Sequence, residues 1–349
     1  PKPQTPNPKP RSIIFYLIVM LNEDVSEPTI AHKLKHIKRV NAPQKPIAIF
    51  LFRRDFRIFD NTGLLECSKK FSVVPIFVAD PKKFGPENSF RSMSSINFKL
   101  RSLEELAERI SEASGKLLTY FGDPIEILNR ILTENKISAI FLNKGYSEYS
   151  KNLEQNLETL CKKKEVEYHS FHDMILSDGF DSIMKLDRKP YILFYSYMAK
   201  AMETRPKKVN FDEVKSWSGL AGDRFLVKNL RGELARLDWT FETPNCPFLG
   251  GREETLINLR RLEEDSSNPS EERKNLNENL DLSILGPGLR FGTVSIREVF
   301  FVLKASYESY SPLIEQLYWR EYYYYCDHHF PETLSDKSLY RHKRFGEIK

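Results

Sequence analysis

The sequence contains little cysteine, and its cysteines are widely spaced. Cys67, Cys161, Cys246 and Cys326 form no CxxC pair. This spacing excludes a disulfide framework and a cysteine-based zinc site, because both need clustered or regularly paired thiols. It fits reduced thiols in an intracellular protein of the nucleus or cytoplasm, and we predict no metal site.

Excess charge and long hydrophobic runs are also lacking. Lys and Arg number 53 against 48 Asp and Glu, a net charge of +5, so any surface that binds nucleic acid must be local. The apolar run at 13–21 is nine residues long, whereas a transmembrane helix needs about 20. No small-residue cleavage site follows this run, and we therefore expect neither a membrane protein nor a secreted one.

Aromatic residues, by contrast, are abundant at 12% of the chain, and 349 residues are enough for two domains. Residues 1–10 are rich in proline and contain no hydrophobic side chain. Such a composition cannot bury a core, so we predict that residues 1–46 form a partly disordered N-terminal extension.

From residue 47 onward, apolar segments of strand length alternate with amphipathic segments of helix length. Continuous apolar strands that alternate with helices indicate a parallel sheet covered on both faces, so we predict a doubly wound, five-stranded α/β domain over 47–175. Ligands of such sheets bind at the carboxyl ends of strands. No GxGxxG motif follows any of the predicted strands, so we do not expect a Rossmann-type dinucleotide site here. The predicted strands are 47–52, 73–78, 117–121, 138–142 and 166–171, with helices at 96–113, from Pro124 onward behind an Asp123 N-cap, and at 149–164.

Beyond about residue 180 the alternation stops and helical patterns follow one another. We predict an interdomain connection over 176–244 and the N-terminal part of an all-α domain over 245–349. The predicted helices are 193–202, 256–264, 295–304 and 313–325.

Five segments, in order along the chain, resemble motifs of the cryptochrome/DNA photolyase family. FRRDFRIFDN at 52–61 is similar to the family's opening FRRDLRLxDN motif, and QLYWREYY at 316–323 is similar to its Q/E-L-I/L-W-R-E-F-F helix. Between them lie PY at 190–191, GG and a following Glu at 250–253, and GLRFGTVS at 288–295. The resemblance covers roughly residues 47–331.

The resemblance implies an antenna-type α/β domain followed by part of a helical FAD-binding domain. It also implies a DNA-repair enzyme, a carbon–carbon lyase of the deoxyribodipyrimidine photolyase type. In this family reduced FAD absorbs blue light and passes an electron to a pyrimidine dimer flipped out of damaged double-stranded DNA, and the electron returns after the bonds rearrange.

The last helix carries most of the implied site. Gln316, Trp319, Arg320 and Tyr323 are spaced i, i+3, i+4 and i+7, so they share one helix face. An indole can stack on an extruded base, and a guanidinium suits a flavin phosphate. By resemblance, Gln316 and Trp319 are catalytic, Arg320 and Gln316 contact FAD, and all four contact DNA. The structural alternative is an aromatic core helix in which Trp319 is buried and Arg320 is ion-paired.

The segment that matches the family's flavin-diphosphate motif, T-S-x-L-S, departs from it. The matching residues are Leu282, Ser283, Ile284, Leu285 and Gly286, of which only Ser283 and Leu285 are retained. We predict FAD contacts from residues 283–286 with reduced affinity, because two hydroxyl donors are lost. The family's later flavin motifs are not present before Lys349, so we expect a fragment, a truncated reading frame or a helical domain completed by a second chain.

Three further features lie in or near the α/β part, and the first has two interpretations. Arg53 and Arg54 follow a strand end, where they meet either phosphate or carboxylate groups of a ligand or an ion-pair network that supports the loop. The residues near Tyr149 and Ser150 do not match the family's pterin-contacting Asn-Glu pair, which speaks against a bound antenna chromophore, pterin or deazaflavin. Asp60 and Asn61 are expected to cap the next helix.

The subtype is also open. Asp55 resembles cyclobutane-dimer photolyases, whereas Gln316 resembles the (6-4) photolyases and animal cryptochromes. The same resemblance also allows a cryptochrome-like blue-light photoreceptor or a non-catalytic relic of the fold.

Overall fold

The computed structural model describes residues 45–89, 91–220, 225–237, 239, 249–266, 282–307 and 311–331. The predicted extension over 1–46 therefore lies almost wholly outside the described residues, and Cys246 lies outside them as well.

A fully parallel sheet forms the first part of the chain. Its strands are β1 (Ile47–Phe52), β2 (Ser72–Ala79), β3 (Leu118–Phe121), β4 (Ala139–Asn143) and β5 (Glu167–Phe171), in the spatial order β3-β2-β1-β4-β5. The central strands are continuous buried apolar segments, whereas the edge strand β5 keeps polar, partly exposed side chains. The predicted doubly wound five-stranded sheet is confirmed. Its order reverses between β1 and β4, which creates the switch point at which ligands of such sheets bind.

Helices cover both faces of this sheet. At two of these helices, the side chain predicted from the sequence caps the N-terminus. Asn61 accepts a hydrogen bond from the Leu64 N–H at 3.2 Å, and Asp123 accepts one from the Ile125 N–H at 2.8 Å, with Pro124 in the first turn. The helices are α1 (Thr62–Lys70), α2 (Pro81–Phe84), α3 (Met93–Glu112), α4 (Pro124–Glu134) and α5 (Glu148–Lys163).

The second part is helical and has its own aromatic core. Its helices are α6 (Phe194–Glu203), α7 (Leu230–Arg236), α8 (Arg252–Ser266), α9 (Gly286–Phe291), α10 (Ile296–Ser306) and α11 (Pro312–His329). Although α6 lies within the predicted connection, it packs into this core: the rings of Tyr197 and Tyr325 have centroids 4.6 Å apart. The domain limits drawn from the sequence remain predictions.

The chain between α6 and α7 runs along the β3 side of the sheet. The N–H of Val73 donates to the Ser216 carbonyl at 2.9 Å, and the N–H of Val227 donates to the Thr119 carbonyl at 2.8 Å. These bonds satisfy backbone groups that an open sheet edge would otherwise expose.

The described cysteines are buried or half-buried. Cys67, Cys161 and Cys326 are free thiols, and burial raises the pKa of Cys67 to about 12. In the part of the chain that the structure describes, no cluster of His, Cys, Asp and Glu could hold a metal, and no helix is long and apolar enough to span a bilayer.

Candidate functional site

The loop that follows β1 is fixed by a buried carboxylate. Asp55 accepts hydrogen bonds from the N–H groups of Arg53 at 2.8 Å and Arg54 at 3.2 Å. Asn143, the last residue of β4, donates to Asp55 Oδ2 at 2.6 Å and to Asn61 Oδ1 at 2.8 Å. Burial raises the pKa of Asp55. These bonds tie the carboxyl ends of β1 and β4 together at the switch point, so the direction of the loop is set.

The arginines of this loop have different roles. Arg53 Nη2 lies 2.6 Å from Glu154 Oε1 on α5, and Arg57 Nη2 lies 2.6 Å from Asp173 Oδ2 behind β5. Arg54 pairs with no carboxylate of the described residues and lines a cleft instead. The ion-pair interpretation therefore applies to Arg53, whereas contact of Arg54 with a ligand remains a prediction.

The cleft opens at the carboxyl edge of the sheet, between the β1 loop, α2, α3 and the start of α5. Its empty volume is about 820 Å³, including the open mouth. Phe77, Phe84 and Met174 give it an apolar side, and Tyr149 donates its hydroxyl hydrogen bond to Asp80. The apolar side of the cleft offers a surface against which a planar aromatic group can pack.

Cations dominate the other side of the cleft. Arg54, Lys83 and Lys99 line it, and Arg290 of α9 lies close enough to repel all three. Burial, reinforced by this repulsion, lowers the pKa of Arg54 and Lys83 and brings that of Lys99 to about 7. No carboxylate of the described residues lies within 4 Å of these four cationic groups, so their charge is available to an anionic ligand.

A buried ion network joins the α/β and helical parts. Arg297 of α10 places Nε 2.8 Å from Asp60 Oδ2 and Nη2 2.9 Å from Asp173 Oδ1. Burial alone would raise the pKa of Asp173, but the charges of Arg57 and Arg297 outweigh it and hold that pKa well below its usual range. Asp60 adopts a left-handed conformation with φ of 46°, and Asn61 rather than Asp60 caps α1. The network holds the β1 loop against the helical part.

The structure places the predicted residues of α11 in two groups. Trp319 is half-buried and stacks on Phe194, with ring centroids 3.6 Å apart. Tyr323 is 63% exposed, and its ring centroid lies 6.0 Å from that of Trp319. Gln316 Oε1 instead accepts from the Leu282 N–H at 3.2 Å, and Arg320 donates to the carbonyls of Met174 at 2.6 Å and Leu289 at 3.1 Å. The roles of these residues toward flavin and DNA remain predictions.

The predicted flavin-phosphate segment fits a cofactor only in part. Leu285 is fully buried and Ile284 packs against the helical core, whereas Ser283 and Gly286 are exposed. A Cβ on Gly286 would meet no atom within 4 Å, so there is room beside it for a ligand. Arg320 donates to two backbone carbonyls, and its contact with FAD remains a prediction.

Glu321 fastens α11 to the chain that follows β5. It is 1% exposed and accepts hydrogen bonds from the Leu176 N–H at 2.7 Å, the Ser177 N–H at 3.3 Å and the Ser177 hydroxyl. Burial raises the pKa of its carboxyl group. Together with Arg320, it connects this segment of α11 by hydrogen bonds to the chain that follows β5, and so joins the two parts of the fold.

We expect Glu321→Ala to lower the free energy of unfolding by about 1–3 kcal/mol, because the substitution leaves buried hydrogen-bond donors unsatisfied. Urea unfolding measures this loss, and hydrogen exchange should accelerate at Leu176 and Ser177. The exposed Glu253→Ala is the matched control and should change neither quantity. Unaltered exchange at these two amides would show that the hydrogen bonds between Glu321 and residues 176–177 are not formed.

The cationic cluster was not predicted from the sequence. Lys83, Lys99 and Arg290 lie on three different helices, α2, α3 and α9, so no local motif unites them. One pattern was available: Lys83 follows the end of β2 as Arg54 follows β1, and carboxyl ends of parallel strands meet at one edge.

Comparison with known proteins finds a family model and several relatives that this chain resembles. Residues 48–214 match the family model described as DNA photolyase. A (6-4)DNA photolyase of Arabidopsis thaliana is 28% identical over an alignment of 316 positions, and the match covers 79% of this chain and 54% of that protein. Cryptochrome-1 of Erithacus rubecula is 26% identical over an alignment of 301 positions, and the match covers 79% of this chain and 47% of that protein.

A solved structure agrees with these relatives. The archaeal photolyase from Sulfolobus tokodaii, crystallised with two FAD molecules, superposes with a TM-score of 0.65 at 26% identity and covers 82% of this chain and 60% of its own. The chain spans about half the length of the curated relatives it matches. By sequence and by fold, the chain is similar to members of the photolyase/cryptochrome family.

Proposed function

We propose that this chain is part of a flavin-dependent photolyase that repairs pyrimidine dimers in damaged double-stranded DNA under blue light. The observation that carries the proposal is the aromatic surface of Trp319 and Tyr323. The half-buried Trp319 ring stacks on the buried Phe194 and lies beside the exposed Tyr323. Such a surface can receive a base that has left the duplex, and a dimer leaves it more easily than a normal base.

FAD is the proposed cofactor because family relatives include photolyases and one similar structure holds two FAD molecules. Bound FAD would supply the light absorption and the electron. This chain would contribute the exposed turn at Ser283 and Gly286 and the aromatic surface that positions the lesion.

Repair is tested directly with the flavin-loaded protein. An oligonucleotide with a single cyclobutane thymine dimer is illuminated with blue light in its presence, and the loss of the dimer is followed by chromatography. A second oligonucleotide carries a (6-4) product. Repair of one lesion identifies the subtype, on which Asp55 and Gln316 disagree. Flavin binding without repair of either lesion favours the cryptochrome-like photoreceptor, and failure to bind any flavin favours the relic.

We expect Trp319→Ala to weaken binding of dimer-containing DNA by about 1–3 kcal/mol, since stacking of a base on an aromatic side chain contributes that much. Trp319→Phe should retain most of the affinity because it keeps a ring against Phe194. Fluorescence anisotropy with a labelled duplex measures both.

Phe225→Ala is the control for a loss of exposed aromatic surface elsewhere. Phe225 is 47% exposed and lies 3.8 Å from the Arg130 guanidinium on the α/β part. Its substitution should leave dimer affinity unchanged. If Trp319→Ala also left it unchanged, Trp319 would not contact the lesion.

A second function is proposed for the cleft at the carboxyl edge of the sheet: binding of an aromatic ligand that carries phosphate, such as a flavin nucleotide. Three lining cations without carboxylate partners among the described residues favour it, beside the apolar side formed by Phe77, Phe84 and Met174. Flavin mononucleotide (FMN) should bind more tightly than riboflavin, which lacks the phosphate. Equal affinity of the two in a fluorescence titration would contradict the proposal.

A further inference from the structure

Lys99 occupies an unusual position in the cleft. It belongs to α3, and its Nζ lies 4.3 Å from the ring centroid of Phe84 and 5.6 Å from that of Phe291. Aromatic faces attract a cation only modestly. The amine thus has an apolar surrounding on the side of the rings and opens to the cleft on the other.

The charges that face Lys99 from the neighbouring elements are positive. They belong to Arg54 on the β1 loop, Lys83 on α2 and Arg290 on α9. No carboxylate of the described residues comes within 4 Å of its amine. The two acids of the cleft are engaged elsewhere: Asp55 with the β1 loop and Asn143, and Asp80 with Tyr149 and the N–H of Lys82.

We propose that Lys99 couples occupancy of the cleft to protonation: a phosphate-bearing ligand binds together with a proton on the Lys99 amine and is released more readily when that proton is lost. The inference rests on the second proposed function, the ligand site in the cleft, and is independent of DNA repair.

The physical reason is a change in the electrostatic surroundings of one amine. In the ligand-free cleft, burial and three neighbouring cations bring the pKa of Lys99 to about 7. A phosphate among the same cations offsets their repulsion and provides an acceptor, so the pKa of Lys99 rises on binding. Linkage then requires that affinity fall as pH rises from the pKa of the free cleft to that of the complex, by up to about tenfold per pH unit.

The ligand itself does not titrate in this range. The second pKa of a phosphate monoester is about 6, so FMN keeps its charge above neutral pH. The guanidinium group of an arginine is effectively always charged in this range. Lys83 is the one other amine in the cluster, and it lies over the ring of Tyr149 at 3.8 Å.

Isothermal titration calorimetry of the whole protein with FMN tests the inference. At about one pH unit above the pKa of Lys99, titrations in Tris and in HEPES differ in buffer ionisation enthalpy, and their heats yield the number of protons taken up. We expect an uptake close to one proton and an affinity that falls with rising pH. Uptake near zero with normal FMN binding would overturn the role of Lys99 while leaving the cleft as a ligand site.

Two substitutions separate Lys99 from the other groups. Lys99→Met should abolish the proton uptake and weaken FMN binding, with the affinity no longer dependent on pH. Lys99→Arg carries a permanent charge, so it should abolish the uptake but retain affinity at high pH. The matched control Lys82→Met removes a neighbouring lysine whose side chain is 72% exposed and paired with Asp123, and it should leave the uptake intact.

The outcomes distinguish the coupling from the ligand site. If Lys99→Met retains the proton uptake, another group titrates and the inference is wrong, although the ligand site stands. If FMN binds neither the natural protein nor Lys99→Arg at any pH, the proposed ligand site and the coupling are both wrong.

Discussion

Replacing Asp173 by Asn should lower the free energy of unfolding by about 3–5 kcal/mol, the cost of removing one partner of a buried ion pair. The Asp173 side chain is fully buried, and it faces Arg57 at 2.6 Å and Arg297 at 2.9 Å. The amide keeps the shape of the carboxylate, but it leaves Arg297 paired with Asp60 alone and the buried Arg57 guanidinium with no carboxylate of the described residues within 4 Å. Urea unfolding followed by circular dichroism measures the loss.

A charge effect can be told from a packing effect by its pH dependence. The pKa of Asp173 lies below that of an unfolded aspartate, about 3.9, so its contribution is present above that pH and is lost as the pH falls below it. The natural protein should therefore lose more stability than Asp173→Asn between neutral and strongly acidic pH.

Asp187→Asn is the control, because Asp187 pairs with Lys189 at 3.3 Å on the surface. Exposed pairs contribute about 0–1 kcal/mol, and this variant should unfold nearly as the natural protein does. If Asp173→Asn cost no more than the control, the network would not hold the two parts of the fold together.

The sequence predicted the α/β part closely because its determinants are local. β1 spans the predicted residues 47–52, and the Asn61 and Asp123 caps lie where expected. Apolar runs, caps and prolines act within a few residues, so they can be recognised without knowledge of the fold.

The functional residues were harder to predict because their partners are distant. The spacing of Gln316, Trp319, Arg320 and Tyr323 gives one helix face, but it does not reveal that Arg320 meets the carbonyls of Met174 and Leu289. Such partners depend on how the helical part docks on the sheet. The resemblance indicated a family and the segments, while tertiary packing decides which side chains remain free for a ligand.

The arginines after β1 illustrate the same limit. Three guanidinium groups in one motif look equivalent in sequence, yet Arg53 and Arg57 have carboxylate partners and Arg54 has none among the described residues. Only the positions of Glu154 and Asp173 separate them. A group left without a partner in a cleft lowers stability and is retained where it serves binding.

We therefore expect Arg54→Leu to weaken ligand binding and, at the same time, to stabilise the folded protein. The substitution should weaken FMN binding by about 10–100-fold, since a hydrogen bond to a charged group contributes about 1.5–3 kcal/mol. It should also raise the free energy of unfolding, because burial and the charge of Arg290 disfavour the Arg54 guanidinium in the folded state. A titration with FMN and a urea unfolding curve on the same preparation measure both effects.

Arg205→Leu is the matched control, because it removes the same charge from an exposed position outside the cleft. It should change neither affinity nor stability appreciably. Loss of affinity in both variants would indicate a nonspecific charge effect, and loss of stability in Arg54→Leu would show that Arg54 supports the fold. Weaker binding together with greater stability, confined to Arg54, is the combination that a ligand-binding role predicts, since repulsion among the cleft cations is relieved either by removing a charge or by adding a phosphate.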